Sequence, residues 1–225
     1  MPDRCCSRCG RQVLPPTLLH HEYRCPQHGE VAGLGPAIPF APAETDRLAA
    51  RSDLPIWFPR PLPVPWLVTG LRCAEDPRGR VAAVAVGFTG RGLSDGPSDV
   101  VIVAEQPGCG LGAMFAGLAE PDPGADCFAG PAASRIRTGH RSTGLWSADA
   151  PSDRVAFVGE ADGNWLWIIG WPDSAWSLVD DDLRLGDARS DVAYRQYPAG
   201  ALNPRLAAPG ANRSGPGLRP PRGKP

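Results

Sequence analysis

Short apolar runs are spaced along residues 66–170, and stretches rich in glycine, proline and aspartate separate them. Their length, their β-branched and aromatic residues and the turn residues between them are typical of β-strands. The predicted strands comprise residues 66–71, 80–89, 100–104, 143–147, 154–160 and 164–170. Residues 100–104 are apolar without interruption, which is typical of a central strand buried on both faces.

Turn and helix signals connect these strands. The pair Asp162-Gly163 predicts a tight hairpin between the last two of them. Residues 113–118 follow a glycine-rich loop and predict a short helix, whereas residues 176–185 fit either one more strand or a short helix. The sequence therefore predicts an α+β body, mainly antiparallel sheet with one or two helices packed on it.

Proline and glycine divide the chain into four predicted segments. Residues 1–33 are too few to bury a core without a metal. Five prolines interrupt residues 34–60, which predicts an extended tether that leaves the two sides energetically separable. The body is expected over residues 61–206. Residues 207–225 combine proline, glycine and basic residues without an acid, which predicts a disordered basic tail.

The N-terminal segment carries the clearest chemistry of the chain. Cys6 and Cys9 form a C-x2-C pair, and Cys25 and His28 form a C-x2-H pair after fifteen intervening residues. Such pairs present two ligands each from a tight turn, and the spacing fits the zinc-ribbon class. Four available ligands indicate a closed structural Zn²⁺ site, because a catalytic zinc keeps one position open for water.

Neighbouring residues support this assignment or compete with it. Gly10 and Gly29 each follow a second ligand and supply the backbone freedom needed to leave the turn. Cys5 is a spare thiol, because Cys6 alone gives the required spacing to Cys9. His20 and His21 lie between the two pairs and are expected to be exposed.

The chain resembles an uncharacterised actinobacterial family, a domain of unknown function with an N-terminal zinc ribbon. The resemblance rests on the Cys-Gly and His-Gly pairs of the ribbon and on residues 59–70, 110–113, 159–161, 165–167, 171–172 and 200–206. It implies the domain layout and no established activity. Cys5 and Cys109 depart from the usual pattern of the family.

Composition limits the cellular compartments in which the protein is expected. The chain has 225 residues, a net charge of −1 and 42% apolar residues, enough for an ordinary core. No apolar run approaches the length of a membrane span, and no apolar signal segment precedes Cys5. We therefore expect a cytoplasmic protein without membrane contact. Arginine outnumbers lysine 22 to one, which indicates a GC-rich bacterial genome.

The preferred functional hypothesis is a non-enzymatic protein-interaction or regulatory module with an unknown protein partner. Seven tryptophans form either core or a recognition surface. Trp57, beside Phe58 in the predicted tether, is the best candidate for an interface anchor. Whether the protein is an enzyme stays open, and the sequence leans against catalysis.

Two alternatives remain. An enzyme or small-ligand protein would use loop 106–113, where Glu105 and Cys109 lie nearest any bound group and His140 is a possible base. The loop lacks the spacing of known phosphate-binding motifs. No base or positive charge is evident near Cys109, so its pKa is not expected to be depressed. Nucleic-acid binding would use the ribbon and the basic tail, although the ribbon has no strong basic patch.

Overall fold

A computed structural model describes residues 4–92, 96–179 and 182–208, with the side chains of residues 176–178 excepted. Within these ranges the protein is mostly β, with a large and largely antiparallel sheet of twelve strands, a separate two-stranded sheet and three short α-helices. No helix in the described ranges is long and apolar enough to cross a bilayer.

Strands make up most of the regular structure along the described chain. In chain order they are β1 (Cys5–Cys6), β2 (Tyr23–Cys25), β3 (Gly29–Val31), β4 (Gly33–Leu34), β5 (Ile38–Pro39), β6 (Trp57–Pro59), β7 (Leu67–Glu75), β8 (Val81–Arg91), β9 (Pro97–Glu105), β10 (Ser134–Thr138), β11 (Arg141–Ser147), β12 (Val155–Ala161), β13 (Asn164–Trp171) and β14 (Arg184–Asp187). The α-helices are α1 (Pro42–Ala49), α2 (Leu111–Ala116) and α3 (Pro204–Ala207). Three 3₁₀ turns cover Ala125–Phe128, Asp173–Leu178 and Ala193–Gln196.

The main sheet has the order β1-β4-β7-β8-β9-β13-β12-β11-β10-β14-β6, and β5 pairs with β7 beside it. Among the strand pairs of the described residues, only β10 and β14 run parallel. The turn between β12 and β13 has positive φ at Asp162 (54°) and Gly163 (75°), as a two-residue hairpin turn requires. The predicted hairpin is confirmed.

Each face of the sheet carries its own core. Along β9, Val100, Ile102 and Ala104 join one apolar cluster, whereas Val101 and Val103 join the other. The two clusters therefore lie on opposite sides of the strand, and the predicted central strand is confirmed.

Strand β8 alternates in the same way, with large residues on one face and small residues on the other. Its large residues Val84, Val86 and Phe88 face the first cluster. Its small residues Ala83 and Ala85 face the second, which includes all of α2 except Gly112. Small side chains on this face leave room for the elements that cover it.

Residues 34–60 correct the predicted tether, because they are folded onto the body. Pro42 opens α1 at a first-turn position, where the missing N–H of proline costs no hydrogen bond. Leu54, Ile56 and Phe58 are at most 3% exposed and join the first core. The prolines thus mark the ends of elements rather than an extended segment.

Trp57 is also buried, with 3% of its surface exposed, so its expected role as an exposed interface anchor is wrong. Trp66, Trp167 and Trp171 are buried as well, which agrees with the core interpretation. The Trp176 side chain lies outside the described residues.

The C-terminal part differs from the prediction in two places. Residues 134–138 form a strand that the apolar pattern did not predict. The region around residues 176–185 contains both predicted alternatives, since a 3₁₀ turn precedes β14. The predicted tail lies outside the described residues from residue 209 onward.

Candidate metal centre

Two tight turns bring the predicted ligands together. Cys6 ends β1 and the chain turns through Cys9, whereas Cys25 ends β2 and the chain turns through His28 into β3. The glycine after each turn has positive φ, 73° at Gly10 and 67° at Gly29, a conformation that side chains disfavour.

Three of the six separations between the four ligand atoms match the edges of a tetrahedral site. The Nδ1 atom of His28 lies 3.5 Å from Cys6 Sγ and 3.6 Å from Cys25 Sγ, and Cys9 Sγ lies 3.8 Å from Cys25 Sγ. All four atoms lie within 4.8 Å of one another. Zinc bond lengths of about 2.3 Å to sulfur and about 2.1 Å to nitrogen give tetrahedral edges of about 3.8 and 3.6 Å. The group can therefore hold a metal ion.

Backbone amides of the turns point at the sulfur atoms. The Arg8 N–H donates to Cys6 Sγ over 3.4 Å. Burial raises the pKa of Cys6 to about 12 despite this bond. Burial also opposes ionisation of Cys25, but the N–H groups of Gln27 and His28 and the thiols of Cys6 and Cys9 together outweigh it, and the pKa of Cys25 is lowered. Amides that stabilise a thiolate favour the form that binds metal.

The ligands rest on a very small apolar cluster. Cys6 and Cys25 are buried beside Val13 and Val31, with Tyr23 packed against them. A core of this size does not hold a chain segment in place alone.

The metal-binding segment contacts the body at two places. The Ser7 hydroxyl donates to the carbonyl of Cys109 over 2.8 Å, and the Arg8 guanidinium donates to the carbonyl of Gly108 over 2.6 Å. Strand β1 also pairs with β4, which pairs with β7, and Arg4 forms an ion pair with Glu75 at 2.5 Å. Sequence reasoning did not predict these contacts. The separation of residues 1–33 from the body as an independent unit remains a prediction.

The competing ligands lie elsewhere. Cys5 is outside the ligand group and packs against the second core. The Nε2 atom of His20 is 3.0 Å from the guanidinium of Arg24, and both His20 and His21 are exposed, as expected.

Loop 106–113 directs its amides to carboxylates of the protein itself. The Leu111 N–H donates to Glu105 Oε2 over 2.6 Å, and the Gly108 N–H donates to Asp122 Oδ1 over 2.7 Å. The position that a bound anion would take at the start of α2 is therefore occupied. This removes the structural reason for a ligand loop here.

The titratable groups of the loop are turned inward. Glu105 is fully buried, and burial raises its pKa to about 8. The Trp167 indole lies close enough to lower that pKa, although its Nε1 and Glu105 Oε1 have no well-aligned hydrogen-bond partner among the described residues. Burial, followed by the charge of Glu105, raises the pKa of Cys109. This agrees with the prediction that the pKa of Cys109 is not depressed.

Three of the four arginines in residues 1–33 are engaged in contacts, whereas Arg11 is exposed. Arg4 pairs with Glu75, Arg8 bonds to the loop of Gly108, and Arg24 contacts His20. These contacts give no support to a free basic face at this end of the protein.

Fold and site together define a mostly β protein with a Cys3His group that can hold a metal ion. The chain belongs to a family of unknown function, DUF6758, whose model matches residues 1–206. No curated protein and no solved structure matches it significantly.

Proposed function

We propose that this chain is a cytoplasmic zinc protein that acts as a non-enzymatic interaction or regulatory module. Cys6, Cys9, Cys25 and His28 would hold one structural Zn²⁺. The observation that carries the proposal is the group of three sulfurs and one imidazole nitrogen within 4.8 Å of one another, with three separations close to tetrahedral edges. With four protein ligands, no coordination position is left for a substrate or water.

The role of the metal in this proposal is to order the N-terminal segment. Metal coordination supplies folding free energy on the order of 10 kcal/mol in structural zinc sites. Holding Cys6 and Cys9 in place also fixes Ser7 and Arg8, whose side chains reach loop 106–113. The zinc would thereby attach this segment to the body.

The thiols support a reducing compartment and a non-enzymatic role. None of the seven cysteines, all within the described residues, forms a disulfide, which is the usual state in the cytoplasm. Cys109, the candidate nucleophile, is buried and has a raised pKa. A buried thiol of this kind is inert.

An exposed turn between the metal-binding pairs supports protein interaction. Leu18 and Leu19 are 97% and 87% exposed. The Thr17 hydroxyl oxygen accepts hydrogen bonds from the N–H groups of Leu19 and His20, which holds the turn in shape. Adjacent apolar side chains on an ordered turn are typical of a contact surface.

One experiment tests both parts of the proposal. Protein purified without chelator should contain about one zinc per chain, and X-ray absorption should show three sulfur ligands and one nitrogen ligand. The same protein, used to capture partners, should retain a partner that the Leu18→Ser/Leu19→Ser variant loses. Val64→Ser is the matched control, because Val64 is 95% exposed and lies in the body.

Substoichiometric zinc would contradict the structural site. Equal capture by the Leu18→Ser/Leu19→Ser variant and the wild type would contradict the contact surface.

A further inference from the structure

A groove follows the end of the main sheet where β11, β10, β14 and β6 lie side by side. Its volume is about 970 Å³, at the upper end of the roughly 300–1,000 Å³ typical of small-molecule sites. Four arginines and three aspartates contribute to its lining. The arginines are Arg60, Arg137, Arg141 and Arg184.

Each aspartate of the groove already has a positive partner. The three ion pairs are Arg60–Asp191, Arg141–Asp162 at 3.1 Å and Arg189–Asp187 at 2.7 Å. Arg189 is not part of the lining, so its pair with Asp187 uses no arginine of the groove. The side chains of Arg137 and Arg184 form no ion pair or hydrogen bond with the described residues.

Arg137 and Arg184 are direct neighbours in the sheet. They are register partners in the parallel pair of β10 and β14, and both are exposed. Paired residues on adjacent strands share a face, and the strands lie about 4.8 Å apart. Like charges placed directly opposite repel each other. Among the described residues, Arg137 and Arg184 thus place two uncompensated positive charges side by side.

The positively charged surface does not extend onto the neighbouring strands. Arg141 on β11 is paired with Asp162, and Arg60, directly after β6, is paired with Asp191. Across the four strands, two neutralised arginines therefore flank the two uncompensated ones. This pattern fits a compact anion better than a long polyanion.

We propose that this groove binds a small phosphate-bearing ligand, with Arg137 and Arg184 contacting the phosphate. Two guanidinium groups match the charge of a phosphate monoester, about −1.5 to −2 near neutral pH. The planar guanidinium also donates two parallel hydrogen bonds to phosphate oxygens. His140, in the turn between β10 and β11, adds a polar group to the same lining. The site is separate from the metal centre.

Calorimetric titration of the intact, metal-loaded protein with pyrophosphate at low salt tests the proposal, with inorganic phosphate titrated in parallel. We expect saturable binding of pyrophosphate that weakens at least tenfold in Arg137→Gln and in Arg184→Gln. Arg78→Gln is the matched control, because it removes the same charge from an exposed residue outside the groove. Its affinity should equal that of the wild type.

Two further measurements check that the variants fold and whether the groove binds nucleic acid instead. Since each glutamine variant relieves a like-charge repulsion, its melting temperature should equal or exceed that of the wild type. A single-stranded oligonucleotide is tested as competitor. The proposal is overturned if pyrophosphate does not bind, if Arg78→Gln weakens binding equally, or if the oligonucleotide binds and pyrophosphate cannot displace it.

Discussion

At the scale of single residues, two adjacent cysteines have different environments. Cys6 faces the imidazole of His28, whereas Cys5 packs against the second core and stands outside the ligand group. Neighbours in a strand point to opposite faces, so only one of the two thiols can reach the metal.

This difference gives the first prediction. Cys25→Ser should lose the metal, because it removes one of four ligands, whereas Cys5→Ser should retain about one zinc per chain. Metal analysis after gel filtration measures both. If Cys5→Ser loses zinc and Cys6→Ser keeps it, the ligand assignment is wrong.

At the scale of elements, helix α2 begins on a buried carboxyl group. Glu105 accepts the N–H of Leu111, yet burial raises its pKa from 4.5 to about 8. The unfolded carboxyl loses its proton above pH 4.5, and the folded one retains it until about pH 8. In this window the unfolded state binds fewer protons, so the contribution of Glu105 to the free energy of unfolding falls as pH rises.

Glu105→Gln should remove this contribution, since glutamine stays neutral and its oxygen can still accept the Leu111 N–H. The variant should therefore gain stability relative to the wild type between about pH 5 and 8, by at most about 1.4 kcal/mol per pH unit for one proton. Urea unfolding at each pH measures the difference in the free energy of unfolding between the variant and the wild type. Protonation of the metal ligands affects both proteins equally and cancels in this difference. Parallel curves for the two proteins would contradict the raised pKa.

The elements differ in how far the sequence predicts them. The ligand spacing and the strands around Val101 and Ile168 depend on local patterns, so the sequence is sufficient there. Strand β10 escapes prediction because Ile136 is its only large apolar residue, between the exposed Arg135 and Arg137. Helix α1 escapes it because the prolines around it are equally typical of an extended segment.

The groove lies beyond sequence reasoning for a different reason. Arg137 and Arg184 become neighbours only through the parallel pairing of β10 with β14, which no local pattern specifies. The contact of Ser7 with Cys109 joins residues 102 positions apart and is equally non-local.

At the scale of the whole molecule, metal removal shows whether the N-terminal segment is a separate unit. Chelation should abolish hydrogen-exchange protection in β2 and β3, because their apolar cluster is too small to persist without the metal. Loop 106–113 should lose some protection, since its contacts to Ser7 and Arg8 depend on the same turn. Strands β9, β12 and β13 should keep theirs.

Exchange measured by mass spectrometry, with and without chelator, separates these regions. Loss of protection in β9, β12 and β13 together with β2 and β3 would show that the metal stabilises one cooperative unit. The boundary near residue 33 would then have to be abandoned.

The pairing of β6 with β14 also dictates an order of assembly on the ribosome. Trp57 of β6 is the register partner of Asp187 in β14, 130 residues later, so β6 leaves the ribosome long before its partner strand is translated. At about 5–20 residues per second this delay is roughly ten seconds. The metal ligands Cys6 and His28 are only 22 positions apart and can meet as soon as they emerge. Trp57 and Phe58 therefore spend most of translation in an apolar strand without its partner strand, accessible to chaperones. During this time the two turns that carry the metal ligands can already bind the metal.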